Sequence, residues 1–96
     1  MAEVRVIARA VAREGKTEEL KALLGGLVAP TRAEAGCKFY ELFESNLTGL
    51  FYFNELWESQ AHLDAHAASG HFTKILGKAK PLLAEPMEVN FLEAIG

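Results

Sequence analysis

The sequence predicts an α+β fold of the ferredoxin-like kind, with the element order β-α-β-β-α-β and one antiparallel sheet. Two observations lead to this prediction. Four segments are rich in β-branched and aromatic residues and alternate as strands do, and two further regions repeat apolar residues at the spacing of amphipathic helices. A chain of 96 residues is long enough for one such domain and too short for two, so we assign residues 1–96 to a single domain.

The first strand is predicted from Glu3 to Ala12, and an amphipathic helix follows it from Thr17. The apolar residues of this helix fall on one stripe and are Leu20, Leu23, Leu24, Leu27 and Val28. Gly25-Gly26 and Pro30 weaken its second half, so we expect a kink near Pro30 and an end at Gly36.

A hairpin is predicted next, formed by the strands Cys37 to Glu44 and Leu50 to Trp57. Alternation in the second strand separates Phe51, Phe53, Glu55 and Trp57 from Leu50, Tyr52, Asn54 and Leu56. Both of its faces are largely apolar, so we expect helices to cover one face and a second copy of the chain to cover the other. The face expected to form this homodimer consists of Tyr40, Leu42, Tyr52 and Leu56.

The chain after the hairpin carries helix signals and then a last strand signal. Ser59 is a candidate cap for a helix, Ser69-Gly70 interrupts that helix, and His71 to Ala79 is predicted to be helical again. Met87 to Ile95 alternates apolar and polar residues and is the fourth predicted strand.

Composition and charge exclude several classes of function. Half of the residues are hydrophobic and the formal net charge is -3, so we expect neither disorder nor binding to nucleic acid or an anionic membrane. No segment approaches the roughly 20 apolar residues of a membrane span, and the N-terminal run lacks the layout of a signal peptide. The single Cys37 permits no intramolecular disulfide. We therefore expect a cytoplasmic protein whose partners are small molecules or protein chains.

Chemistry-bearing residues concentrate between Phe51 and Phe72, where His66 is the candidate base. An unperturbed imidazole titrates near about pH 6.5, so a histidine in an apolar cleft can take a proton from a phenol or quinol at neutral pH. The alternative is a structural or solvent-facing role, which is commoner for a single histidine on a helix. Glu55 either orients His66 or is a partnered or exposed carboxylate. His62, one turn earlier, is expected to face mainly solvent.

A zinc site is the other interpretation of these histidines. His62 and His66 are four residues apart, a spacing that lets two imidazoles share a zinc ion, and His71 is a possible third ligand. However, Ser69-Gly70 interrupts the helix, and Leu63 stands where the H-E-x-x-H motif has its glutamate. The chain also lacks a nucleotide-binding glycine motif. The sequence therefore predicts a protein without bound metal, flavin or haem.

Six segments of the chain together resemble the antibiotic biosynthesis monooxygenase superfamily. They are Gly15-Lys16, Pro30 to Cys37, Tyr40-Glu41, Glu55 to Ser59, Leu63 to His66 and Ser69 to Phe72, and the match covers essentially the whole chain. The resemblance implies a dimeric α+β barrel with a pocket between each sheet and its helices. Characterised members oxidise quinols and polycyclic phenols without metal or flavin, degrade haem, or process small signalling molecules.

Haem degradation is disfavoured within this resemblance. Haem-degrading members resemble one another in an asparagine on the first strand, a tryptophan in the helix after the third strand and a histidine that ligates iron. At these positions the present chain has Ala8, His66 and Leu76, and leucine cannot ligate iron.

The resemblance therefore implies a cofactor-independent monooxygenase or oxidase that acts on a quinol or hydroxylated aromatic molecule with dioxygen. In this hypothesis His66 is the base, and Asn54 or Trp57 donates to the developing negative charge. The predicted substrate contacts are Tyr52, Phe72 and Glu55. The aromatic residues are equally typical of a core. Two alternatives stay open, namely a non-redox enzyme that isomerises or degrades a small carbonyl signal molecule and a non-catalytic binder of an aromatic ligand.

Overall fold

The computed structural model describes residues 3–96, and its elements follow the predicted order. The strands are β1 (Val4–Val11), β2 (Cys37–Glu44), β3 (Leu50–Trp57) and β4 (Glu88–Leu92). The helices are α1 (Thr17–Gly25), α2 (Val28–Arg32), α3 (Gln60–Ala67) and α4 (Gly70–Ala79), with a 3₁₀ turn at Lys80–Leu82. The strands pair antiparallel in the order β2-β3-β1-β4, which confirms the ferredoxin-like sheet. Within residues 3–96, no helix has the length and apolar character needed to cross a membrane.

Alternate residues of the central strands form the core between the sheet and the helices. Its largest fully buried side chains include Phe51, Phe53, Trp57, Leu20 and Leu24. Burial of each such aliphatic or phenylalanine side chain stabilises the fold by roughly 1.5–3 kcal/mol. Tyr52 and Asn54, which alternate with the core residues of β3, are only partly buried. The helices therefore cover one face of the sheet, and we refer to the other as the open face.

The orientation of β2 differs from the prediction. Tyr40 lies opposite Glu55, a residue of the helix-covered face, and Leu42 has the same orientation. The expectation that Tyr40 and Leu42 belong to the open face is therefore wrong, because the register of a hairpin depends on its turn and not on alternation within either strand. The open face of β2 carries Phe39 and Phe43 instead.

The first helical region is interrupted before the predicted kink. α1 ends at Gly25 and α2 begins at Val28, while Pro30 lies in the first turn of α2. A proline in a first turn removes no helical hydrogen bond, because amides there have no acceptor within the helix. The glycines therefore interrupt the helix and Pro30 does not. α2 ends at Arg32, so the predicted extension to Gly36 is also wrong.

Both helices after β3 begin at a serine. Ser59 Oγ accepts a hydrogen bond from the His62 amide at 3.3 Å, which confirms the predicted cap. Ser69 Oγ accepts one from the Phe72 amide at 3.4 Å, so α4 begins at Gly70, one residue earlier than predicted. The caps place the last turn of α3 directly before the first turn of α4.

A glycine with a left-handed backbone lies between α2 and β2. Gly36 has a φ of +79°, and a Cβ atom at this position would collide with the ring of His62. Gly15 has a φ of +80°, but the space around its Cα is open. The His62 ring therefore packs directly on the backbone of Gly36, so the turn before β2 lies against α3.

We expect Gly36→Ala to destabilise the protein more than Gly15→Ala. Both alanines meet the left-handed backbone penalty of roughly 1–2 kcal/mol, whereas only the alanine at position 36 also displaces His62. Unfolding in urea measures the difference. Adding His62→Ala to Gly36→Ala should recover part of the loss, and equal destabilisation by the two single substitutions would contradict this packing argument.

Candidate functional site

A cavity of about 270 Å³ lies between the helix-covered face of the sheet and the helices α3 and α4. Its walls are mainly apolar and include Val6, Ala8, Phe53, Leu63, Phe72 and Leu76. Three almost fully buried ionisable side chains also line it, namely Glu55 at 6% exposure and Tyr40 and His66 at 2% each. Ligand pockets span roughly 300–1,000 Å³, so this cavity lies just below that range and has room for a small molecule only.

His66 is held at the cavity by aromatic packing. Its ring centroid lies 4.8 Å from that of Trp57 and 4.6 Å from that of Phe72. Tyr40 adds an edge contact at 5.7 Å. These rings belong to β3, α4 and β2, so three separate elements restrict the orientation of one imidazole.

Glu34, in the turn between α2 and β2, determines which nitrogen of His66 carries the proton. Its Oε2 lies 2.8 Å from Nδ1 of His66. An ionised carboxylate only accepts hydrogen bonds, so Nδ1 must be the donor and Nε2 is left as the basic nitrogen. Within residues 3–96, Nε2 has no hydrogen-bond partner.

His71 donates to the same carboxylate oxygen. Its Nε2 lies 2.7 Å from Oε2 of Glu34 and 3.4 Å from Oγ of Ser69. The Ser69 hydroxyl donates its own hydrogen to the backbone carbonyl of His66 at 2.7 Å, so its oxygen is an acceptor for His71. Nε2 of His71 therefore carries a proton. We refer to Glu34, His66 and His71 as the shared-carboxylate cluster.

The groups of this cluster are of the kinds that bind zinc, and their nearest atoms lie within 4.8 Å of one another. Their spacing is nevertheless that of hydrogen bonds. Zinc with bonds of about 2.0–2.1 Å holds tetrahedral ligands about 3.3 Å apart. The shared oxygen lies only 2.7 and 2.8 Å from the two nitrogens, so we interpret the cluster as a hydrogen-bond network. His62 lies outside it and bonds Ser59 Oγ at 2.8 Å.

Glu55 has a different partner from the one considered on sequence grounds. Its Oε1 accepts a hydrogen bond from Trp57 Nε1 at 2.9 Å, and Glu34 is the carboxylate that orients His66. Burial raises the pKa of Glu55 above its ordinary value, although the Trp57 hydrogen bond and nearby His66 act in the opposite direction. Burial also raises the pKa of Tyr40, so its phenol is neutral at physiological pH.

Four of the predicted site residues come together in the structure. His66, Glu55 and Phe72 line the cavity, and Trp57 packs against His66. The indole N–H of Trp57 is already bonded to Glu55. The predicted donation from Trp57 to a substrate therefore requires that this hydrogen bond break.

Asn54 and Tyr52 do not reach the cavity. Both lie on the open face of β3, where Asn54 Oδ1 accepts a hydrogen bond from Arg5 Nη1 at 2.8 Å. Neighbouring residues of a strand point to opposite sides, so Asn54 and Tyr52 are separated from the residues around His66 by the sheet itself. Their predicted roles beside His66 do not agree with this placement.

Two residues of the site, Glu34 and His71, have roles that the sequence does not predict. Glu34 is 32 positions from His66, and no local pattern indicates that the two meet. The sequence indicates His71 only as a possible third metal ligand. Both belong to segments that resemble the monooxygenase superfamily, which was the only available signal. His62 is half-buried against Gly36 rather than mainly solvent-facing.

Comparison with known proteins agrees with the fold. The sequence profile of the family described as Antibiotic biosynthesis monooxygenase matches residues 3–78. The chain is 38% identical over 89 residues to Putative monooxygenase Rv0793 of Mycobacterium tuberculosis, with 93% of this chain and 88% of that protein covered. It is 35% identical over 75 residues to Putative monooxygenase YcnE of Bacillus subtilis, with 77% and 79% covered.

Two solved structures show the same fold. The structure of Rv0793 superposes with a TM-score of 0.92 at 36% identity, covering 99% of this chain and 97% of that one. The crystal structure of PA3566 from Pseudomonas aeruginosa also gives 0.92, at 33% identity, covering 100% and 97%.

Glu55→Gln is expected to stabilise the protein near pH 7 more than near pH 4. A raised pKa means that the folded protein binds the proton more tightly than the unfolded chain. The Glu55 carboxyl therefore favours folding at pH values below its ordinary pKa of 4.5. This contribution to stability is lost as the pH rises through the raised pKa of the folded protein. Glutamine removes the charge and keeps an oxygen for the Trp57 N–H.

Thermal unfolding at several pH values measures this effect, and each 1 kcal/mol corresponds to roughly 4–8 °C in a domain of this size. Glu58→Gln, which removes an exposed carboxylate just after β3, controls for the loss of a surface charge. A Glu55→Gln variant that melts below the unmodified protein near pH 7 would show that the Glu55 charge is stabilising and contradict the argument.

Proposed function

Because the chain belongs to the antibiotic biosynthesis monooxygenase family, we propose that it is a cofactor-independent monooxygenase that oxidises a quinol or another hydroxylated aromatic molecule with dioxygen. One observation carries the proposal. The buried imidazole of His66 lines a mainly apolar cavity, its Nδ1 is held by Glu34, and its Nε2 is unpaired within residues 3–96. A positioned base needs this arrangement.

The first chemical step is removal of a phenolic proton. Nε2 of His66 accepts the proton, so that the substrate O–H bond breaks, an N–H bond forms and the substrate becomes an electron-rich anion. Glu34, 2.8 Å from Nδ1, stabilises the resulting imidazolium. The anion then reduces dioxygen directly, so the protein itself needs no redox group.

The overall reaction is balanced without another reductant. Naphthalene-1,4-diol and dioxygen give 2-hydroxy-1,4-naphthoquinone and water. One oxygen atom enters the product and the other is reduced to water, and all the electrons come from the diol. The apolar walls of the cavity favour this chemistry because they limit access of water to the anion. Glu55, whose pKa is raised by burial, is placed to donate to a second substrate oxygen when protonated.

His66→Gln is expected to lower turnover of naphthalene-1,4-diol by roughly 10²-fold or more, because a positioned base contributes about 10²- to 10⁴-fold. His62→Gln, on the same helix but outside the shared-carboxylate cluster, should change turnover little. Oxygen consumption above the non-enzymatic background measures both variants, and circular dichroism verifies their folds. Near-normal turnover by His66→Gln would remove the assignment of the base.

Labelled dioxygen separates this proposal from its alternatives. The proposed reaction places one labelled oxygen atom in the quinone product. Turnover of a substrate without dioxygen would favour a non-redox enzyme. Binding of the diol without turnover, unaffected by His66→Gln, would favour a binding protein.

We also propose that a second copy of the chain covers the open face. Phe39 and Phe43 are 40% and 45% exposed on it, next to Leu56 and Tyr52 of β3. A contiguous group of exposed aromatic and aliphatic side chains is typical of an interface between protein chains. Its position on the sheet also agrees with the dimeric barrel that the resemblance implies.

We predict a homodimer that buries at least a standard-sized interface, about 1,600 Å² in total. Phe43→Glu should weaken it, because a charge in an apolar interface is costly to desolvate. Leu47→Glu, which replaces a 62% exposed residue in the hairpin turn, is the matched control. Light scattering measures the mass, and a monomer at micromolar concentration for the unmodified protein would contradict the proposal.

A further inference from the structure

We propose that His71 is a positioning residue that sets the basicity of His66 by sharing the carboxylate of Glu34 with it. The inference rests on the proposed role of His66 as the base. Both imidazoles donate to the same oxygen, Oε2 of Glu34, with His66 at 2.8 Å and His71 at 2.7 Å. The negative charge of Glu34 is therefore shared between its hydrogen bonds to the two imidazole rings.

A base beside its own carboxylate tends to hold a proton before the substrate arrives. With Glu34 alone, the full negative charge would act on His66 in mainly apolar surroundings, where opposite charges attract strongly. The imidazolium form of His66 would then be favoured, and it cannot accept another proton. A second N–H donor on the same oxygen weakens this attraction, so His66 begins the reaction neutral and basic at Nε2.

The helix ends determine which histidine takes an added proton. His66 lies in the last turn of α3, where the helix dipole favours positive charge, and His71 lies in the first turn of α4, where it disfavours one. The ring centroids of Trp57 and Phe72 lie 4.8 Å and 4.6 Å from that of His66 in tilted arrangements, a range in which aromatic faces stabilise a cation. The proton removed from the substrate therefore resides on His66 while His71 stays a neutral donor.

Other ionisable groups line the cavity near His66 but have different partners. Glu55 on β3 accepts from Trp57, and Asp64 on α3 accepts from the Gln60 amide at 3.0 Å. Tyr40 on β2 is a neutral phenol. In the part of the chain that the structure describes, Glu34 is thus the carboxylate hydrogen-bonded to His66, and His71 is the second imidazole that shares it.

An NMR titration of the His66 ring in the substrate-free protein tests the inference without any turnover. His71→Leu removes the second donor, so the midpoint of the His66 titration should rise. Glu34→Gln should lower the midpoint, because the amide oxygen still accepts from Nδ1 but carries no charge. His71→Gln keeps an N–H donor and should restore most of the original midpoint, and His62→Gln should leave it unchanged.

In the turnover assay with naphthalene-1,4-diol, the acidic limb of the pH–rate profile of His71→Leu should move to higher pH, as the His66 midpoint does. KM should not change. An unchanged or lowered His66 midpoint in folded His71→Leu overturns the inference. If the midpoint rises as expected but the protein turns over no hydroxylated aromatic molecule, the coupling between the histidines stands and the proposed function fails.

Discussion

Burial of a polar ring is the constraint on which the site depends. An unsatisfied polar group in a protein interior costs roughly 1–3 kcal/mol, so the enclosed imidazole of His66 needs a hydrogen-bond partner. That partner, Glu34, comes from the turn after α2. The turn lies against α3 because Gly36 has no side chain that would collide with this helix. Backbone features remote from any chemistry thereby hold the carboxylate in place.

The elements of the fold could be predicted because their signals are local in the sequence. β3 has the predicted bounds, Leu50 to Trp57, since its alternation and its flanking turn residues are neighbours in the chain. The helix break was less predictable. Gly25, Gly26 and Pro30 all disfavour a helix interior. Pro30 does not interrupt α2, because it lies in the first turn of that helix. That position depends on where the new helix begins, which packing decides.

The site was less predictable because it depends on pairing between distant segments. Alternation separates Asn54 from Glu55, yet the sequence does not show which hydrogen-bond partners each face will meet. Similarly, the side of the sheet on which Tyr40 lies depends on the hairpin register. The contact between Glu34 and His66 spans 32 positions. The periodicity of apolar residues describes one helix or strand at a time. It therefore predicts which residues share a face of that element better than it predicts which other element the face will contact.

The edge strand β4 gives the cavity a wall with different properties from the rest. Val89 and Phe91 line the cavity but are 53% and 62% exposed, so their replacement loses little buried surface. Exposed substitutions usually change stability by less than about 0.5 kcal/mol, whereas truncating a buried residue such as Phe53 costs several times more. Mutational drift can therefore accumulate on β4 and reshape the cavity while His66 and its supports are retained. The shape of the cavity can therefore change at this edge of the sheet with little effect on folding.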